Sequence, residues 1–396
     1  MNRKQFLILV IALVVLGGVG LAMFWQDIAA YRSTGAKIGA RLLPGIKLSD
    51  VAEIDLQDAT SKATLARKDK AWGVRERGDY PANLQELSDL MIKLAELKVV
   101  QSEAVSANLL PRLGLGAPAQ KPKPAPASAT APAPAEQASG TGTRVELKDA
   151  AGKALGSLIL GKVVLKKDPG NPLPSAQNGV PAGRYVMVSG TTNVAVVSDP
   201  LNNAEANPAK WLDKSFFKAE RVKTLTASSD GGVRWKITRD EEYGQWKFAA
   251  GGGDLDASSA VGAVNALSNL SFKDVATEPH PAADQKPVTI TADTFDHLSY
   301  TVKLVRDGGE DYLLNFTVAG EPPRQRTPEK DEKPKDKERL DKEYAETLKK
   351  LQEHIAREQA LSKWTYVMES KAVAPLLKER AQLTAQKKPP TDRKSR

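Results

Sequence analysis

The chain has no cysteine in 396 residues. That excludes disulfides, a thiol nucleophile, thiolate metal sites and a lipid-bearing cysteine. Histidine is almost as scarce: His280, His297 and His354 are the whole set. No second histidine stands at ligand spacing from any of them, so surface or capping roles fit them better than metal binding. The Gly-x-Ser-x-Gly nucleophile elbow is missing. Gly251-Gly252-Gly253 lacks the Lys-Ser/Thr of a phosphate loop and the GxGxxG spacing, and reads as a hairpin-to-helix connection. Asp254 and Asp256 offer a carboxylate pair, but Asp256 is better explained as a helix N-cap. No cofactor is implied, no small-molecule substrate is identified, and the chain reads as non-enzymatic. A carboxylate hydrolase stays open as a third reading, because glycosidase carboxylates follow no sequence order. One-sided charge is lacking too. The 57 Lys and Arg against 48 Asp and Glu are a mild excess, partly in the chain ends, and no base-stacking motif accompanies it, so no nucleic-acid partner is read.

The first positive feature is an uncharged run from Phe6 to Trp25. As a helix it would be about 30 Å long, the thickness of a bilayer core. Arg3 and Lys4 precede it, and Trp25 stands at its far edge as an interfacial anchor would. The expected anchor residues are Phe6, Leu9, Leu13, Leu16, Leu21 and Trp25. A cleaved signal peptide is the rival, but the run is longer than the usual apolar region of such peptides. The expectation is a single pass through a bacterial inner membrane. Residues 1–5 would be cytoplasmic, 6–25 the anchor, and the bulk of the chain periplasmic.

Beyond the anchor the chain is organised around a repeated plan. Ala71 to Val100 reads as a strand end at Trp72-Gly73-Val74, a Tyr80-Pro81 turn, a helix and a strand restart. Asn83 and Glu86 form a capping-box-like start, and Leu84, Leu87, Leu90, Leu94 and Leu97 make one apolar stripe. Residues 245–275 follow the same order from Trp246, with Asp256 at the helix start. The near-equal spacing predicts an internal duplication over 46–200 and 217–380. The expected fold is α+β: an N-terminal transmembrane helix, then two duplicated, mainly antiparallel β units, each with a packed amphipathic helix.

In this alignment of the copies, the alternating runs at 298–318 match the Val145 to Leu160 hairpin. Tyr366-Val367-Met368 matches Tyr185-Val186-Met187. The copies differ by insertions. A Pro/Ala linker spans 117–143 in the first, where composition favours an extended, unfolded chain. A charged segment, 321–363, stands in the second where the first has its Pro/Gly loop. The segment carries a helical stripe of Leu340, Tyr344, Leu348, Leu351 and Ile355, which either folds back on its own unit or forms a partner-binding helix. The basic tail 386–396 reads as disordered. Trp72, Trp235, Trp246 and Trp364 fall on expected strands, as core residues or as a stacking platform. Trp211 lies between the copies, where it would pin them together.

Several short motifs add a resemblance. They are Trp72-Gly73-Val74, Tyr80-Pro81-Ala82-Asn83, Leu94 to Lys98, Leu113-Gly114-Leu115, Leu158 to Lys162, Tyr185-Val186 and Trp211 to Lys214. In this order, over most of residues 1–320, they resemble the bacterial domain-of-unknown-function family 4340. The resemblance implies an accessory or scaffold role beside a gliding-motility-type ABC transport system. The expected partners are then the membrane and the permease, ATPase or auxiliary subunits. It carries over no catalytic residue. An extracytoplasmic glycan- or peptide-binding module is the alternative.

Overall fold

The computed structural model describes residues 38–69, 71–118, 140–166, 179–191, 193–279, 286–328 and 332–385. The expected anchor at 6–25, nearly all of the Pro/Ala linker, His280 and the tail 386–396 lie outside them. The chain divides into two compact units, Met1–Leu212 and Asp213–Arg396.

The first unit holds nine strands: β1 (Glu53–Gln57), β2 (Lys62–Lys68), β3 (Ala71–Val74), β4 (Tyr80–Pro81), β5 (Val99–Ala104), β6 (Thr143–Lys148), β7 (Ala154–Lys166), β8 (Val180–Val188) and β9 (Asn193–Val197). They form one sheet in the order β4-β3-β2-β1-β6-β7-β8-β9-β5. Register explains its two faces. Ile54 pairs with Leu65 and Leu147, and Leu56 with Ala63 and Val145, so these apolar residues share one face. Glu53, Asp55 and Gln57 fall between them and point the other way, as the period of two requires.

Helix α1 (Leu84–Glu96) stands between β4 and β5 and buries Leu87, Leu90 and Leu94. The Asn83 side chain accepts from the Gln85 and Glu86 N–H groups at 3.1 and 3.3 Å, two donors that the first turn would otherwise leave unpaired. Leu84, counted in the expected stripe, is 58% exposed. On the face opposite Ile54, at the β7–β9 end, Leu115, Ile159, Met187 and Val194 form a small second core. Leu110 and Leu113 of the 3-10 turn Ala107–Leu113 pack against it.

The second unit holds β10 (Val222–Ser229), β11 (Gly232–Thr238), β12 (Lys247–Phe248), β13 (Asp274–Ala276), β14 (Val288–Thr294), β15 (Ser299–Arg306), β16 (Tyr312–Ala319) and β17 (Thr365–Met368). Their order is β12-β11-β10-β14-β15-β16-β17-β13. Taken in chain order, and leaving out the two-residue β4, this repeats the first sheet strand for strand. Helix α2 (Ala257–Ser268) occupies the place of α1, capped by Asp256, whose side chain accepts from Ser259 N–H at 2.7 Å. The core is aromatic: Phe216, Phe217, Phe272, Phe316 and Tyr366 touch one another with ring centroids 4.3–6.0 Å apart. Helix α3 (Pro334–Leu361) joins β16 to β17, and two single turns, α4 (Ser370–Val373) and α5 (Arg380–Leu383), end the unit.

Two expectations need correction. The described residues are mainly β, two large antiparallel sheets, and not the expected α+β arrangement with a transmembrane helix. No helix among them is long and apolar enough to cross a membrane. The alignment of the copies shifts by one strand. Tyr366–Met368 lies on β17, whose counterpart is β9 and not the Tyr185 strand β8, and α3 stands where the first unit has the tight β8–β9 turn, not its Pro/Gly loop. Local echoes of sequence misled here because pairing, not resemblance of a short run, fixes strand order. Trp211 itself falls in the first unit. Its side chain is buried, its Nε1 donates to the Glu205 carbonyl at 2.8 Å, and its own carbonyl accepts from Asn83 N–H at 2.7 Å.

Candidate functional site

The expected partner helix is α3, and its sequence explains its two halves. From Pro334 to His354 no side chain is buried. The buried residues are Ile355, Glu358 and Leu361, in the last two turns. Leu340, Tyr344, Leu348 and Leu351 are half-buried and lie on one stripe with Ile355. The preceding segment is tied back along the first turns. The Tyr344 hydroxyl donates to the Pro323 carbonyl at 2.6 Å, and Arg326 pairs with Glu332 and with Asp341, the latter at 2.7 Å. The other end is held by one buried carboxylate. Glu358 accepts from the Tyr300 hydroxyl at 2.9 Å and from Lys218 N–H at 2.9 Å, and lies 3.0 Å from His354 Nε2. Burial, and then the Glu358 charge, push the Tyr300 phenol up, which keeps it protonated and donating. Sequence reading passed over this carboxylate. Its only local signal is the His354–Glu358 spacing of one helical turn; Tyr300 and Lys218 come from distant strands and loops.

A second cluster occupies the wet face of the first sheet. Lys148 Nζ lies 2.5 Å from Asp55 and 3.0 Å from Glu53. Lys62 stands 3.3 Å from Asp55 and the Thr64 hydroxyl donates to it at 2.6 Å. Asp55, Lys62 and Lys148 line a cleft of about 600 Å³ with Glu76, Arg144 and Glu146. Burial pushes the Asp55 carboxyl up, but hydrogen bonds from Lys148 and Thr64 and the charge of Lys62 outweigh it and leave it below its ordinary value. Lys148 is raised, chiefly by its bond to Asp55. Both shifts favour the charged forms at neutral pH, the opposite of the tuning that general acid–base work needs.

A pH dependence follows from these directions. A depressed Asp55 contributes stability above its unfolded-state value of about 3.9 and loses it as pH falls through the folded value. A raised Lys148 contributes below about 10.4 and loses it as pH rises through its own folded value. Asp55→Asn should therefore lower first-unit stability by a constant amount across the neutral range, with a gap from wild type that shrinks below about pH 4. Urea unfolding at a series of pH values measures this, and a gap that stays constant into acid would contradict the assignment.

The remaining sequence candidates scatter. Trp235 is buried and donates from Nε1 to the Lys378 carbonyl at 2.7 Å. Trp72, Trp246 and Trp364 are half-buried, and each ring carries a cation: Arg67 at 5.9 Å, Arg239 at 4.8 Å and Lys363 at 4.1 Å. Asp256 serves as the cap described above. Gly251-Gly252-Gly253 is clasped by Arg380, which donates to the Gly252 carbonyl at 3.1 Å. His297 sits in the β14–β15 turn with φ of 61°. The sequence also holds a Ser-x-x-Lys spacing, Ser215 and Lys218. It lies on non-helical chain, so the two are not set one helical turn apart as that motif requires. Among the described residues no group of three or more His, Asp or Glu side chains is placed to hold a metal ion.

No curated protein and no solved structure matches the chain. The motif resemblance spread over 1–320 narrows accordingly to one stretch, which includes β8 and most of β14: residues 173–293 match the model of DUF4340, a domain of unknown function, and it is through this stretch that the chain is similar to that family.

Proposed function

We propose that this chain is a non-enzymatic protein of the bacterial envelope that works by binding partner proteins, as an accessory or scaffold component beside an ABC-type transport system. The observation that carries the proposal is helix α3. It is fixed at its C-terminal end by buried Ile355, Glu358 and Leu361, yet presents Leu340, Tyr344, Leu348 and Leu351 only half-covered along the rest of its length. A helix held at one end with an incompletely covered apolar stripe suits a groove on another protein. The envelope setting rests on what the motif resemblance to the family implies. The glycan-binding alternative has less support, because the half-buried tryptophans already stack against the chain's own cations.

Purification of the tagged full chain from native membranes after crosslinking tests the proposal. Permease and ATPase subunits of an ABC system should be recovered with the wild type and lost with Leu348→Asp/Leu351→Asp, at unchanged abundance of the chain. Recovery of no transporter subunit, or equal recovery with the double variant, would overturn it.

A further inference from the structure

A second cleft in the first unit, of about 640 Å³, lies beside the charged cluster and has a different charge. Its ionisable lining is Arg112, Lys162 and Arg184 against one carboxylate, Asp58. Asp58 is already engaged. Its Oδ1 accepts from Thr60 N–H and Ser61 N–H, both at 2.7 Å, and from the Thr60 hydroxyl at 3.0 Å, closing the β1–β2 turn.

Arg184 is the central group. It sits half-buried on β8. Its Nε donates to the Gly161 carbonyl at 2.8 Å, and its Nη1 to the Pro200 and Leu201 carbonyls at 3.3 and 3.1 Å. Nη2 donates to none of the described residues, and among them no carboxylate forms an ion pair with the guanidinium. The side chain lines both this cleft and a smaller one next to it, of about 290 Å³. The smaller cleft adds only Glu205 to the acids, and Glu205 faces Lys210 at 3.8 Å. Burial lowers the pKa of Arg184 below the ordinary guanidinium value. Carbonyls accept from its Nε and Nη1 but leave its charge unbalanced, which is costly in a partly buried site.

The other two cations converge on the same place. Gly161, whose carbonyl Arg184 holds, is followed directly by Lys162. The Lys162 stem lies against Gly114, so close that a Cβ there would stand 3.2 Å from its Cγ. Arg112 precedes Gly114 by two residues. The glycines of the cleft do not make room for a ligand. A Cβ on Gly142 or Gly161 would meet backbone oxygens at 2.5 and 2.4 Å, so they serve close chain packing and fix the cleft floor.

We propose that this cleft is a binding site for a phosphate-sized anion, held by the Nη2 group of Arg184 and by the Lys162 and Arg112 side chains. A planar guanidinium tied to carbonyls through Nε and Nη1 is pre-oriented, so Nη2 meets an oxyanion at little further entropic cost. Two exposed cations at the rim add attraction that weakens with salt. The anion has two sources, free phosphate or the phosphodiester of a lipid headgroup, and both use the same contacts.

The test uses the full chain in a non-ionic detergent, with inorganic phosphate and glycerophosphoglycerol, the deacylated headgroup of phosphatidylglycerol, as probes. Calorimetry should show binding of at least one probe. Arg112→Gln/Lys162→Gln should weaken it about tenfold or more, the scale of lost hydrogen bonds from charged groups. Both residues are exposed, so the variant should unfold at the wild-type temperature without ligand, which separates lost binding from lost folding. Tighter binding of the diester assigns the site to a headgroup, and tighter binding of phosphate to the free ion. No binding of either probe at millimolar concentration, or equal affinity in the double variant, would overturn the proposal.

Discussion

Glu358→Ala is expected to unfasten α3 and to lower the unfolding temperature of the second unit. The carboxylate is 2% exposed and gathers donors from two separate places, Tyr300 on β15 and Lys218 in the segment before β10, with the His354 ring 3.0 Å away one turn back on α3. Alanine leaves the Tyr300 hydroxyl and the Lys218 N–H without their partner in a space too tight to hydrate freely. Each orphaned group costs about 1–3 kcal/mol, and the lost packing adds to that. Glu358→Gln keeps one acceptor oxygen and should lose less. Hydrogen exchange should show the larger change in residues 334–361 and the smaller in the sheet. Wild-type exchange in α3 together with an unchanged melting temperature in Glu358→Ala would mean that the carboxylate is not the fastening.

Trp211→Ala should cost the first unit about 3–5 kcal/mol, the range for removing a large buried aromatic. Its 1% exposure sets the apolar part of that loss. Its Nε1 bond to Glu205 adds a polar part, because the carbonyl loses its donor. The chain at Trp211 also holds the start of α1 through Asn83 N–H, beside the bridge between Ala82 and Leu212. Loss of the ring should therefore loosen the α1 start as well as open a cavity. Trp211→Phe keeps most of the apolar area and should recover part of the loss. Urea unfolding followed by a probe confined to the first unit reads the effect. A shift seen only in the second unit would show that Trp211 supports the wrong half of the chain for this account.

The sequence showed much of the local structure and little of what joins it. Asn83 and Asp256 each announce a helix, because a short polar acceptor before an apolar stripe has few other uses, and both cap as read. Alternation marked β15 and β16 for the same reason: one face of each is buried. What alternation does not contain is the neighbour. The placement of β14 between β10 and β15, and of β17 beside β16, depends on pairing across long loops. The short echo between Tyr366 and Tyr185 therefore suggested the wrong counterpart.

The sites follow the same division. The α3 stripe was visible as spacing. The Asp55–Lys148 contact joins residues 93 positions apart, and nothing in either neighbourhood marks the other. Arg184 is harder still, since its distinguishing property is the lack of an acidic neighbour, which no pattern of letters records.

The position of α3 in its sheet has a wider consequence. It joins β16 to β17, two adjacent antiparallel strands whose ends already lie side by side, where the first unit makes do with a short turn. Lengthening such a connection leaves every strand pairing intact, and each doubling of its length costs only about 0.6 kcal/mol of closure entropy. The twin sheets thus behave as a tolerant frame whose margins can be rewritten one connection at a time. A duplicated frame of this kind can acquire a new surface on one copy while the other keeps its older shape.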